Sequence, residues 1–371
     1  MRIERLELVR VRMPLVAPFR TSFGTSYDRD TFLLHLVSGS GAEGWSECGA
    51  EPDPLYSSEF LAGAELVIRD HLLPRLLALG DRLCATAVGP ALAAVKGHPM
   101  AKHVLETAVL DAELREAGTS FGRYLGAVRD RVPAGVSVSI MDSVPELLDA
   151  VGRYLEQGYR RIKLKIEPGW DLEPVRAVRE RYGDQVPLQV DANTAYTLAD
   201  AAHLARLDAF GLLLIEQPLP QDDLRGHAEL ARLIATPVCL DESVASARDA
   251  ASAIALGACR VVNIKPSRVG GYLEARRIHD VAAAHGIPVW CGGMLETGIG
   301  RAPNLALAAL PGFVLPGDTS ASDRYYRTDL TAPFALEADG CVAVPTGPGI
   351  GVDVLPEVLV EVTVYREVLV G

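Results

Sequence analysis

RIKLK (161–165), PLQVDAN (187–193), LLLIEQP (212–218), PVCLDE (237–242) and CRVVNIKP (259–266) recur along the chain, with DLEPVRAVRERYG and AELARLIA among the stretches between them. Each quoted run is short, rich in Val, Ile and Leu, and bounded by turn residues, as a strand buried on both faces is. The intervening stretches carry a helical period. Working outward, VPAGVSVSI (132–140) precedes this block, and IPVWCGG (287–293) and FVLPGD (313–318) follow it. Eight apolar strands with helical crossovers indicate a parallel sheet, and eight is the number that closes a barrel. An open doubly wound sheet is the competing architecture.

The polar residues favour the barrel. Each strand ends in an ionisable or small residue that an apolar core would not select: Lys163 and Lys165, Asp191 and Asn193, Glu216, Asp241, Lys265, Gly292 and Gly293, and Asp318. From Lys165 through Asp191, Glu216 and Asp241 to Lys265 the steps are 26, 25, 25 and 24 residues. One strand and one helix per step set these residues at one height, the C-terminal mouth where barrel active sites form.

Asp191, Glu216 and Asp241 come from three neighbouring strands. Converging carboxylates without a cation repel and are costly to desolvate. A hard divalent ion resolves the conflict, Mg²⁺ first, with Mn²⁺ or another divalent cation able to substitute. Of 36 basic residues only Lys96, Lys102, Lys163, Lys165 and Lys265 are lysines, and lysine, unlike arginine, can give up its proton. Strands two and six oppose each other in a ring of eight, so Lys165 and Lys265 face one another across the mouth. Such a site suits abstraction of the proton α to a carboxylate through an enediolate, stabilised by the metal and nearby lysines, with Lys163 and the cation lowering the proton affinity of Lys165.

Residues 1–60 read as strands (RIERLELVRVRMP, TFLLHLVS, AEGWSEC), and from Ser58 to about Ala127 the pattern turns helical, with MAKHVLETAVLDAELREAG closing at Gly118. Strands then helices, without alternation, mark a separate α+β module. The expected division is a capping domain at 1–127, a barrel at 128–320 and a segment at 321–371 whose VLVEVTVYREVLV returns to the cap as a strand. The net charge of −12 argues against nucleic acid. MRIERLELVRVRMPL lacks an apolar signal core, and no stretch has the apolar length to cross a bilayer. Six cysteines without a CxxC pair read as reduced, buried thiols of a cytoplasmic protein. GPGIG (347–351) is a loop rather than a nucleotide cradle, and no histidine pattern supports zinc.

Taken together, KLK (163–165), VDAN (190–193), IEQP (215–218), LDES (240–243), NIKPSRVGG (263–271), GGMLETGIG (292–300) and GDTSASDRYY (317–326), with MPLVAPFRTSFG (13–24) and PLYSSE (54–59), resemble the enolase superfamily. The likeness is to its muconate lactonising enzyme subgroup, and there to the N-acylamino acid racemase / o-succinylbenzoate synthase family. That resemblance implies a (β/α)7β TIM-like barrel with an N-terminal α+β capping domain completed by the C-terminal segment. It implies Mg²⁺ on Asp191, Glu216 and Asp241, acid/base catalysis by Lys165 and Lys265, and contact of Lys163 with the substrate carboxylate or enolate. Phe19, Tyr56, Ser137, Asn193, Gly293, Met294 and Tyr325 would complete the substrate pocket. The expected activity is racemisation of N-acylamino acids, N-succinylamino acids among them. o-Succinylbenzoate synthesis, a syn dehydration in menaquinone biosynthesis, is the alternative, and one protein can carry both. A non-catalytic barrel that binds a partner is the reading from another class, and the complete set of carboxylates and lysines argues against it. A homo-oligomer acting on a small-molecule carboxylate, with no nucleic-acid or membrane partner, is expected.

Overall fold

In the computed structural model, which describes residues 1–371, β1 (Ile3–Thr21), β2 (Gly24–Ser38) and β3 (Glu43–Glu47) form an antiparallel meander. Leu6, Leu8, Val11 and Met13 of β1 are buried. The helix Pro99–Glu116 covers this sheet and packs on its other side against barrel helices Pro266–Val269 and Tyr272–Ala284. That position explains why it is buried around most of its circumference rather than along one stripe.

After the short β4 (Arg131–Pro133), seven strands run parallel in chain order: β5 (Gly135–Val138), β6 (Arg161–Lys165), β7 (Leu188–Asp191), β8 (Ile215–Glu216), β9 (Val238–Leu240), β10 (Val261–Ile264) and β11 (Val289–Cys291). The eighth run, FVLPGD, is not a regular strand. It closes the ring through isolated bridges, Phe313 to Val289 and Gly317 to Ala134, with Asp318 N donating to Cys291 O at 2.9 Å and Gly135 N to Gly317 O at 2.7 Å. Pro311 and Pro316 lack the N–H groups that a continuous ladder needs.

β12 (Cys341–Ala343) pairs antiparallel with β4, and β13 (Thr363–Val370) pairs antiparallel with β1, at the edge of the cap sheet. The tail therefore does return to the cap, but only its second half is a strand. Pro356–Val362 is a helix, started by Pro356 at its first position with Glu357 in the first turn, which overrides the strand preference of its valines. No cysteine is bonded to another. Four are buried, but Cys84 and Cys341 are half-buried, against the expectation for all six. No helix is long and apolar enough to cross a membrane.

Buried carboxylates of the cap dock it on the barrel. Glu47 accepts from Thr297 N at 2.9 Å and Thr297 Oγ1 at 2.7 Å, capping the helix Gly298–Ala308. Glu106 accepts from Leu273 N at 3.0 Å, at the start of Tyr272–Ala284. The residue before that helix is Gly271, with φ +138°, where a Cβ would overlap the Glu106 carboxylate. Negative charge at a helix N-terminus is favourable, yet here it is held away from water.

Burial pushes the Glu106 carboxyl up to about 7, with its backbone donors only partly offsetting the shift. Between an ordinary carboxylate value and 7 the unfolded chain is the first to lose this proton, so rising pH weakens folding there. Glu106→Gln is expected to remove that slope: measured from pH 4.5 to 7, its unfolding free energy should gain on the wild type by on the order of 3 kcal/mol. Parallel pH profiles for the two proteins would show that Glu106 is not held protonated.

Candidate active site

The alternation of RIKLK places Arg161, Lys163 and Lys165 on the same, inward side of β6, all three buried. Lys165 pairs laterally with Asp191, and Asp191 with Glu216, so these three stand at one height. Asp241 follows β9 by one residue and Lys265 follows β10 by one. The five therefore gather at the C-terminal mouth.

Every amine there is engaged by carboxylates. Lys165 Nζ donates to Asp191 Oδ2 and to Asn193 Oδ1, each at 2.6 Å. Lys163 Nζ lies 2.5 Å from Asp318 Oδ2, 3.1 Å from Glu216 Oε2 and 3.3 Å from Asp191 Oδ2. It also sits 4.8 Å above the ring of Trp290, which Arg161 shares at 5.1 Å. Lys265 Nζ is 2.7 Å from Asp241 Oδ2 and donates to the Tyr56 hydroxyl at 3.0 Å. Asn263 Nδ2 donates to the remaining oxygen of Glu216 at 2.7 Å.

The electrostatics follow. Burial alone would lower the Lys163 ammonium, but Asp318, Glu216 and Asp191 hold it above its ordinary value. Lys265 likewise rises against burial, chiefly through Asp241. Burial would raise Asp191 and Asp241, but the lysines beside them, with Arg268 beside Asp241, hold both below the usual carboxylate range. Glu216 goes the other way: burial and the charge of Asp191 push it well above that range, and Lys163 offsets only part.

Above this layer opens a cleft. Lys163, Lys165 and Lys265 line it together with Phe19, Tyr56, Ser137, Asn193, Gly293, Met294 and Tyr325, so the structure gathers all of these positions in one place. Phe19 and Tyr325 meet edge to face with centroids 6.1 Å apart, one from the cap and one from the segment after the barrel. Asp191, Glu216 and Asp241 lie beneath, fully buried and outside the lining.

The sequence marks Asp318 only as a strand end and gives no role to Glu51 or Arg268. Asp318 lines the cleft, and its second oxygen accepts from Arg161 Nη2 at 2.8 Å. Glu51 lines it too, 3.6 Å from the buried Arg29. Arg268, three residues past Lys265, lies 2.9 Å from Asp241 Oδ1. The signals were present: the R-I-K-L-K alternation for Arg161, and a charged residue in the register of strand ends for Asp318.

As the side chains stand, no three His, Cys, Asp or Glu groups form a ready ligand cluster, because lysine amines lie between the carboxylates. The donor set nevertheless fits a hard divalent ion. It is oxygen-only, carries three formal negative charges on adjacent strands, and includes Asp241 Oδ1, buried without an aligned hydrogen-bond donor.

Comparison with known proteins places this architecture. Residues 4–126 match the family model described as mandelate racemase / muconate lactonizing enzyme, N-terminal domain, and residues 146–358 match enolase C-terminal domain-like. The chain is 67% identical over 366 residues to an N-succinylamino acid racemase of Amycolatopsis sp, covering 99% of both. It is 47% identical to an o-succinylbenzoate synthase of Geobacillus kaustophilus, covering 95% of this chain and 93% of that one. A crystal structure of an enolase-superfamily protein from Listeria innocua superposes with a TM-score of 0.95 at 39% identity, covering 100% of this chain and 99% of the other. Motifs, curled parallel sheet and whole-length similarity agree, and the chain belongs to the enolase superfamily, in the family of N-acylamino acid racemases and o-succinylbenzoate synthases.

Proposed function

We propose that this enzyme racemises N-succinylamino acids and related N-acylamino acids by exchanging the proton α to the carboxylate. One observation carries the reading: Lys165 and Lys265, on strands four apart in the ring, line a single cleft above a layer of buried carboxylates. The neutral amine of one lysine takes the α-proton, and the C–H electron pair moves into the carboxylate to give an enediolate. The opposite ammonium returns a proton to the other face, and the two lysines re-equilibrate with solvent. Lys163, held between Asp318 and Glu216, sets a fixed positive charge beside the substrate carboxylate. Phe19, Tyr56, Met294 and Tyr325 wall the cleft, while Ser137, Asn193 and Gly293 offer polar contacts.

Asp191, Glu216 and Asp241 would hold a divalent cation, Mg²⁺ first, which when bound supplies Lewis-acid stabilisation of the charge developing on the substrate carboxylate. On the same reading, residues 1–127 act as the cap, 128–320 as the catalytic barrel and 321–371 as the returning segment. The protein is then a cytoplasmic homo-oligomer that acts on a small-molecule carboxylate without nucleic acid or membrane. The second reading, o-succinylbenzoate synthesis, is favoured by the synthases among the relatives. It needs one lysine as base and begins with the same proton abstraction. Steady-state rates with N-succinylamino acids and with the synthase substrate rank the two, and a menaquinone gene neighbourhood would favour the second.

Three outcomes are expected. Chelation should abolish activity and Mg²⁺ or Mn²⁺ should restore it, while Asp241→Asn loses most activity and still unfolds cooperatively. Full turnover in excess chelator contradicts the metal assignment.

Substrates bearing a free α-ammonium should react poorly beside their N-acyl forms. The cleft carboxylates Asp318 and Glu51 each already face an arginine, and three lysines line the same space. Equal efficiency with both forms would count against this pocket.

In D₂O the wild type should wash deuterium into both enantiomers of an N-acylamino acid. Lys165→Ala and Lys265→Ala should each abolish racemisation yet leave exchange with retention in opposite enantiomers, slowed by a factor on the order of 10²–10³. Racemisation at near wild-type rate by either variant rules out the two-base mechanism.

A further inference from the structure

The two lysines of the cleft are held by different parts of the protein. Both hydrogen-bond acceptors of Lys165, Asp191 and Asn193, belong to the barrel. Lys265 also touches a barrel carboxylate, Asp241, but its hydrogen-bond acceptor is the Tyr56 hydroxyl, on the cap segment between β3 and the helix Leu61–Val67. The same hydroxyl donates to Asp241 Oδ2 at 3.3 Å, which closes a three-membered ring of contacts. The Lys265 ammonium lies 4.7 Å from the centroid of the Tyr56 ring. Phe23, from the turn between β1 and β2, braces that ring at 5.8 Å. Tyr56 is buried, so its hydroxyl has little competition from water.

We propose that Tyr56 is a positioning residue for Lys265, so that a cap side chain controls proton transfer on one face of the substrate while barrel side chains hold the lysine on the other. A lysine has four side-chain torsions, and its reactive atom must lie close to the α-carbon with its lone pair or N–H aimed along the C–H direction. Lys165 has two barrel acceptors to fix it. Without the phenol, Lys265 keeps only Asp241, on one side, and its terminal torsions are free to swing. This inference rests on the two-lysine reading above, and it predicts an asymmetry that reading does not contain.

Racemisation rates cannot reveal the asymmetry, because the two enantiomers have equal free energy and the forward and reverse kcat/KM values must be equal. Exchange with retention can, because it uses one lysine at a time. The enantiomer that still exchanges in Lys165→Ala is the one whose α-hydrogen faces Lys265; Lys265→Ala identifies the other. Tyr56→Phe keeps the ring, its packing on Phe23 and its contact with the ammonium, and removes only the hydroxyl.

In D₂O, with initial rates of exchange with retention followed by NMR for each enantiomer of an N-succinylamino acid, Tyr56→Phe should slow the Lys265-facing enantiomer about tenfold or more beyond any slowing of the Lys165-facing one. The thermal midpoint should stay near that of the wild type. Equal slowing of both enantiomers would make Tyr56 a substrate-binding or structural residue and overturn the proposal, as would no change in either. If the lysine variants themselves racemise normally, the two-base reading fails first, and the control arms show it independently of Tyr56.

Discussion

A buried ammonium survives only beside a carboxylate, and a buried carboxylate only beside a cation or a hydrogen-bond donor. The barrel mouth of this enzyme is built on that constraint. Lys163 has less than a few per cent of its surface exposed and lies within 3.3 Å of three carboxylates, Asp318, Glu216 and Asp191. Remove the Lys163 ammonium and the carboxylates around it are left with unbalanced charge in a low-dielectric interior, a loss of roughly 3–5 kcal/mol for a broken buried pair. The layer is possible because parallel strands and their helical crossovers repeat at steps of 24 to 26 residues, which brings a charged side chain to the same height at each step. The geometry of the mouth and the electrostatic stability of the barrel are therefore the same set of contacts.

The cap is bound to the barrel through further buried carboxyl groups. Glu47 and Glu106 reach the N-termini of two barrel helices, where N–H groups without an intrahelical partner donate to their carboxyl oxygens. These contacts are directional, unlike the apolar packing around them, and so fix the rotation of the cap over the mouth. Phe19 from the end of β1, with Phe23 and Tyr56 from cap loops, reaches the cleft, and their placement depends on this docking. A cap held only by hydrophobic contact would leave the same aromatic residues free to slide, and an aromatic wall that slides neither excludes water nor orients a side chain.

How much of this the sequence disclosed follows from the range of the interaction involved. The strand–helix alternation and the register from Lys165 to Lys265 were legible because both are periodicities of the chain itself. The eighth strand was misread because FVLPGD has strand composition, while its interrupted ladder depends on proline N–H groups that are absent. The helix at Pro356–Val362 was misread for the opposite reason: five residues rich in valine look like a strand until Pro356 and packing against β1 are known. The pairing of Asp318 with Arg161 spans 157 residues and exists only because the ring closes. Tyr56 could be assigned to the pocket by resemblance, but its bond to Lys265, 209 residues away, could not be read from any local pattern.

The same asymmetry bears on how one site can serve two reactions. Dehydration with syn geometry needs a base on one face, with positive charge elsewhere to stabilise the enediolate; racemisation needs a second lysine poised on the opposite face. In this enzyme one lysine is fixed by barrel residues that also belong to the carboxylate layer, so it cannot be loosened without disturbing that layer. The other is completed by a hydroxyl from a cap loop. On the proposed two-lysine mechanism, a change confined to the cap alters the poise of the second lysine while proton abstraction by the first continues. On this reading, racemisation is the more exacting of the two activities, because it alone requires the cap and the barrel to be in register at the same α-carbon.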